Sequence, residues 1–268
     1  MLFTKIKTSF TKNSLRLFSL LSIFTFLNSG MAHSESVAGL KSDSVNHELM
    51  TLSGLVSQTF IDSLLFFDGD HRSQESMQTA ISSVDRILTN LKSNELKDKQ
   101  ILEVTSSHWQ LVKKHINDMP EDPGYSYFYL ERLSKAIDQT RNSVDGYVQS
   151  QKNDISKNDY DIYQTNSEIL KVVTMHLSSA VMDVGNDEGS KATLRKHCSI
   201  ADKNVQNVVV SNPSVKSYVL RSWKYIQAPI CVTGKKGGSY TIAHFSKQIF
   251  SKLNNLYGSN AAIANGGL

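Results

Sequence analysis

Apolar residues recur along most of this 268-residue chain at steps of three and four. Met77, Ile81, Val84, Leu88 and Leu91 form one series. Val45, Leu49, Leu52, Val56, Phe60 and Leu64 form a second, and Leu130, Leu133, Ile137, Val144 and Tyr147 a third. Each series lays one apolar stripe along a helix. Two-residue alternation is scarce: QNVVVS (Gln206–Ser211) and ICVTG (Ile230–Gly234) are the only short stretches that offer it. The pattern predicts an all-α protein with helices near 44–67, 73–93, 96–118, 125–149, 158–185, 191–209, 213–227 and 239–257. The breaks have local causes. DGDHRS after Phe67 and VGNDEGS from Val184 supply turn and capping side chains. MPEDPGYS from Met119 holds two prolines and a glycine. SNPS places Pro213 in a first helical turn, and TGKKGGS is a glycine-rich loop before the last helix.

The chain also resembles itself. LSKAIDQTRNSVDG (Leu133–Gly146) and FSKQIFSKLNNLYG (Phe245–Gly258) share Ser, Lys, Ile, Asn and Gly at an offset of 112. Trp109 and Trp223, the only two tryptophans, fall 114 residues apart within predicted third and seventh helices. The first and fifth helices align their apolar positions at an offset near 120. Offsets of this kind predict a duplication. The expected architecture is two tandem antiparallel four-helix bundles, 35–150 and 151–260, followed by a disordered tail at 261–268. The linker Val148–Asp161 is polar and lacks proline. A helical linker would run helix four into helix five and stack the bundles end to end as an elongated rod.

Residues 1–32 read as a secretory signal peptide. Lys5, Lys7, Lys12 and Arg16 precede the apolar run Leu17–Leu27, and the small residues that follow would allow cleavage after Ala32 or Ser34. The run is short for a bilayer span, which takes about 20 apolar residues. No later run of that kind is apparent, so a soluble periplasmic or secreted protein is expected, with no stable membrane span after cleavage. Removing the first 32 residues takes four of the 29 bases and none of the 25 acids, which leaves 25 of each. A neutral chain has no general field for nucleic acid or anionic lipid. Cys198 and Cys231 are the only cysteines. In an oxidising compartment they are expected to form one disulfide within the second unit.

The stretch TLSGLVSQTFIDSLLFF (Thr51–Phe67), followed by AISSVDRILTNL and then SHWQLVKKHI, resembles the N-terminal extracytoplasmic helical domain of type IV pilus methyl-accepting chemotaxis transducers. Leu52, Gly54, Ser57 and Gln58 carry the match. Leu55 and Thr59 stand near positions where that family has arginines suited to an anion, so anion binding does not carry over with the likeness. The resemblance implies a ligand site along the first helix, where Ser53, Ser57 and Gln58 offer polar groups among apolar ones. Such a site, lacking arginine, should prefer a neutral or zwitterionic ligand.

No nucleophile elbow, phosphate loop or dinucleotide fingerprint is present, and the eight histidines lack metal-ligand spacing. Asp68, Asp70 and Glu75 lack the spacing of a calcium loop and read as a turn and helix cap. Neither catalysis, nor a metal, nor a cofactor is expected. YSYFYLERL crowds Tyr125, Tyr127, Phe128 and Tyr129 into five residues. One helix face cannot bury all four, so they are candidate partner contacts. The sequence predicts an exported helical binding module, sensory-accessory or ligand-binding, that meets a small ligand or an envelope protein. The alternative is a structural accessory of a pilus, secretion or conjugation assembly.

Overall fold

The computed structural model describes residues 34–93, 99–119, 127–182, 187–233 and 238–257, with side chains from residue 44 onward. The expected signal peptide, the tail, Tyr125 and the side chain of Tyr127 lie outside the described residues. Among the described residues all regular structure is helical: α1 Ser34–Phe67, α2 Ser73–Ser93, α3 Lys99–Asn117, α4 Tyr127–Ser150, α5 Lys157–Met182, α6 Glu188–Ser211, α7 Lys216–Gln227 and α8 Ser239–Asn254. Both stretches with strand-like alternation are helical. QNVVVS ends α6, and ICVTG falls in a π-turn at Ala228–Thr233.

Local chemistry sets the ends. Gly69 takes φ +89° after α1. Its N–H reaches the Phe66 carbonyl at 3.1 Å and the Asp70 N–H reaches that of Leu65 at 2.9 Å, a Schellman closure that needs the left-handed residue. Asp187 caps α6 by accepting from the Ser190 N–H. Pro229 has no N–H to continue the α7 ladder, and the helix widens there into the π-turn. That turn carries Cys231 to Cys198 on α6, with Cα atoms 5.9 Å apart, and the two form the expected disulfide.

The helices pack as neighbours in order. α1 lies on α2 and α4, and α3 on α4 and α2. α5 lies on α6 and α8, and α7 on α6 and α8. Residues 151–156 are turns, with Ile155 buried, so α4 does not run on into α5. Instead α1 packs along α5 and also against α8, and one continuous apolar core spans all eight helices. α1 explains this arrangement. Its segment Ser44–Phe67 is long and apolar enough to cross a membrane, contrary to the expectation that no second such run exists, yet it is mostly buried inside the fold. A Cβ on Gly54 would sit 1.9 Å from Cε2 of Phe250, so glycine is what lets α8 come this close.

The two chain halves bury residues in matching register. From Asn46 to Leu64, most positions buried in α1 are buried again 113 residues later, among them Asn46 and Asp159, Leu49 and Ile162, Ser53 and Asn166, Ser63 and His176; Ile61 and Asp62 are exceptions, matched by half-buried Thr174 and Met175. Leu130, Leu133, Ala136, Ile137 and Thr140 of α4 match Ala243, Ser246, Ile249, Phe250 and Leu253 of α8 at the same spacing. This burial match lies seven residues from the apolar alignment near 120. The Ser-Lys-x-Ile likeness at 112 is one residue out of step with the packing, and Lys135 lies exposed where Lys247 does not. The tryptophans make like bonds. Trp109 Nε1 donates to Asp85 at 2.9 Å and Trp223 Nε1 donates to Asp202 at 2.9 Å. One turn beyond each indole, Lys113 and Gln227 donate to the same carboxylates.

Two outcomes follow from this packing. Replacing both cysteines by serine should lower stability by about 3–4 kcal/mol in urea unfolding, by the loop-entropy relation for a separation of 33 residues. Gly54→Ala should destabilise by about 1–3 kcal/mol, because overpacking against Phe250 outweighs the gain in helix propensity. Phe250→Leu in the same chain should recover part of that loss, whereas equal melting of Gly54→Ala and the parent would refute the close contact.

Candidate functional site

At the end of α1 a single carboxylate lies inside the fold. Asp62 is wholly buried, and its partner comes from α8: Lys247 Nζ donates to Asp62 Oδ1. Ser76, in the first turn of α2, donates to Asp62 Oδ2 at 2.9 Å and accepts from Lys247 at 2.8 Å. Burial pushes the Asp62 carboxyl above the usual carboxylate range, while the Lys247 charge and the hydrogen bonds from Lys247 and Ser76 pull against that. Three helices from distant parts of the chain thus meet in one closed triad.

Above the triad is a cleft of about 200 Å³ between α2 and α8, lined by Leu65, Arg72, Ser73, Tyr240, Ala243 and His244 besides Ser76 and Lys247. Arg72 forms a double hydrogen bond with Asp70, Nε to Oδ1 at 2.8 Å and Nη2 to Oδ2 at 2.9 Å, which holds the Asp70 carboxyl below the usual range. The guanidinium also lies 3.8 Å from the centre of the Tyr240 ring. Tyr240 stacks on His244 at 6.0 Å. The result is a half-open hollow with a cationic wall, an aromatic side and an apolar floor.

The residues expected from the sequence fall elsewhere along α1. Ser53, Ser57 and Gln58 are buried, as a stripe facing other helices requires. The Ser53 hydroxyl donates to Asp145 at 2.6 Å, and Ser57 donates to the Ser53 carbonyl at 3.2 Å. Gln58 Nε2 is buried without a hydrogen-bond partner among the described residues. None of the three lines the cleft. Ser53 belongs instead to a polar seam between the two halves. Tyr163 donates to Asp145 at 2.5 Å, His47 meets Asp159 at 3.1 Å and stacks on Tyr257 at 5.3 Å, and Asn166 donates to Asn254 at 3.1 Å. Thr59, where the resembled family has an arginine, is buried and donates to the Leu55 carbonyl at 2.9 Å.

Of the aromatic run, Phe128 is 75% exposed, whereas Tyr129 packs on Phe67 and donates to the His115 carbonyl. Asp70 acts as a turn residue, its carbonyl accepting from the Ser73 N–H and hydroxyl. Among the described residues no three His, Cys, Asp or Glu side chains gather as a metal site would need. Asp62 of the triad and the cleft residues Arg72, Tyr240 and Lys247 were not singled out by sequence reasoning. One signal was present: Asp62 is the only charged residue in Leu49–Phe67. No family model matches the chain, and no curated protein or solved structure is significantly similar to it.

The triad makes a testable demand. Lys247→Met leaves Asp62 buried without its cation and should cost about 3–5 kcal/mol at neutral pH, while Asp62→Leu with Lys247→Met should recover most of that. The Lys247→Met loss should also shrink in acid. Without its cation Asp62 has a folded pKa raised further above the unfolded one, so the folded state binds the proton more tightly. Relative stability is then greatest below the unfolded carboxylate pKa and falls as pH rises through the folded value. Chemical unfolding of the parent and the two variants between about pH 3 and 7, which brackets carboxylate titration, checks both the size and the sign.

Proposed function

We propose that the chain is an exported, non-catalytic helical binding module, built from two copies of one four-helix antiparallel unit, that holds a small ligand in the cleft between α2 and α8. The observation that carries the reading is the cleft lined by Arg72 and Lys247, seated on the wholly buried Asp62 that pairs with the half-buried Lys247. A buried ion pair contributes less to stability than apolar side chains of similar size. At the positions in matching register the second half has Met175 for Asp62, and the first half has Ser134 for Lys247. Both are uncharged and only partly buried, so no charge is brought inside at the matching place, and the presence of the pair at the other favours a role beyond packing. The duplication is supported by the matching burial and by the two tryptophan–aspartate bonds. Export is supported by the leader-like N-terminus and agrees with the disulfide. The likeness of Thr51–Phe67 to the chemotaxis transducer domain adds to a sensory reading, with the ligand moved from Ser53, Ser57 and Gln58 to the cleft.

A second reading, an accessory that docks on an envelope protein, is favoured by exposed Phe128 and by Tyr225, which is 54% exposed and stacks on Phe245. Thermal-shift screening of the exported protein against small metabolites separates the two. A cleft ligand at 100 times its dissociation constant should stabilise by about 2.7 kcal/mol. His244→Trp, which crowds the cleft from an exposed position, should abolish that response. Failure of every metabolite to stabilise the protein, together with an envelope partner lost on Phe128→Ala, would favour the docking reading.

A further inference from the structure

We infer that the cleft takes a small monocarboxylate, an inference that rests on the cleft being the binding site. The hydrogen-bonding capacity left on its charged and imidazole groups is donor capacity. Arg72 spends Nε and Nη2 on Asp70, and its Nη1 makes no hydrogen bond among the described residues. Lys247 spends two of its three protons on Asp62 and Ser76. The hydroxyl protons of Ser76 and Ser73 are committed to Asp62 and to the Asp70 carbonyl.

The third group is His244. Tyr218 donates to Gln248 Oε1, which turns the Gln248 amide nitrogen toward His244 Nε2 at 2.8 Å. That ring nitrogen therefore accepts, and the neutral imidazole carries its proton on Nδ1. Arginine, lysine and histidine each present a donor, while the carboxylates of Asp62 and Asp70 are already engaged. A ligand that brings acceptors meets this set; one that brings donors does not.

Charge and shape narrow the class. Arg72 and Lys247 are each balanced by a carboxylate, so the hollow has charged donors but no net positive charge, and every negative charge brought in lies near Asp62 and Asp70; a ligand with one charge meets that repulsion once and a dianion meets it twice. A single carboxylate offers two oxygens in one plane, the arrangement that a guanidinium edge recognises. The guanidinium carbon lies 3.8 Å from the Tyr240 ring centre, so the ring and Asp70 together hold the group at the cleft. Leu65, Ala243 and the Tyr240 ring leave room for a short alkyl group in a cleft of about 200 Å³.

Sodium butyrate is the probe, with butyramide as its uncharged counterpart and succinate and phosphate as dianionic comparisons. Titration calorimetry gives affinity, and methyl NMR of Leu65 and Ala243 gives location. Butyrate should bind and move both methyl signals, and butyramide should bind at least about tenfold more weakly, as loss of charge-assisted hydrogen bonds implies. Arg72→Gln should weaken butyrate by a similar factor without altering the thermal melt, since the Arg72 side chain is exposed. Equal binding of butyramide, tighter binding of succinate or phosphate, or indifference to Arg72→Gln would overturn the carboxylate assignment while moved methyl signals kept the cleft. Compounds that stabilise the protein and leave both methyl signals unmoved would overturn the cleft itself.

Discussion

From Leu49 to Leu65 α1 has almost no side that faces water, and the rest of the fold is arranged around that constraint. It touches α2, α4, α5 and α8, so nearly every residue from Leu49 to Leu65 lies within the core. Polar groups there must find partners inside the protein or leave a hydrogen bond unmade. Ser57, Thr59 and Ser63 solve this on the helix itself by donating to the carbonyl one turn back. Ser53 and Asp62 each draw in another helix instead, α4 through Asp145, which also accepts from Tyr163 of α5, and α8 through Lys247. The polar contacts that tie α1 to its neighbours are consequences of where α1 had to carry polar side chains.

This also explains what was legible before the structure. Helices with one wet face, such as α2, α3 and α4, show their apolar stripes plainly, and their extents agree with the spacing to within a few residues. A helix buried all round shows composition but not direction, so the packing of α1 along α5 could not be read from its stripe. Two cysteines in a chain that looked exported left one intramolecular pairing to expect, and Cys198 and Cys231 form it. The cleft was harder. Lys247 and Asp62 are 185 positions apart, and Lys247 looked equivalent to the exposed Lys135 because four letters matched around it. Matching letters on solvent-facing turns of helices carry little register information, whereas burial does.

The position of the cleft has a mechanical meaning. Its walls belong to α2 and α8, and its base is α1. α2 and α8 both touch α1, and they are far apart along the chain. Anything that bridges Arg72 and Lys247 would therefore resist separation of α8 from α1. The close seat of Phe250 on Gly54 sits two turns away along the same contact.

The paired tryptophans impose a condition on optical spectroscopy. Trp109 and Trp223 are both fully buried, and each indole N–H is bonded to an aspartate at 2.9 Å. Two emitters in such similar surroundings should have nearly overlapping fluorescence in the folded protein. One smooth emission change on unfolding would then be compatible with both halves melting together or with two successive steps of similar amplitude, so coincidence with a second probe is needed before the chain is treated as a single cooperative unit.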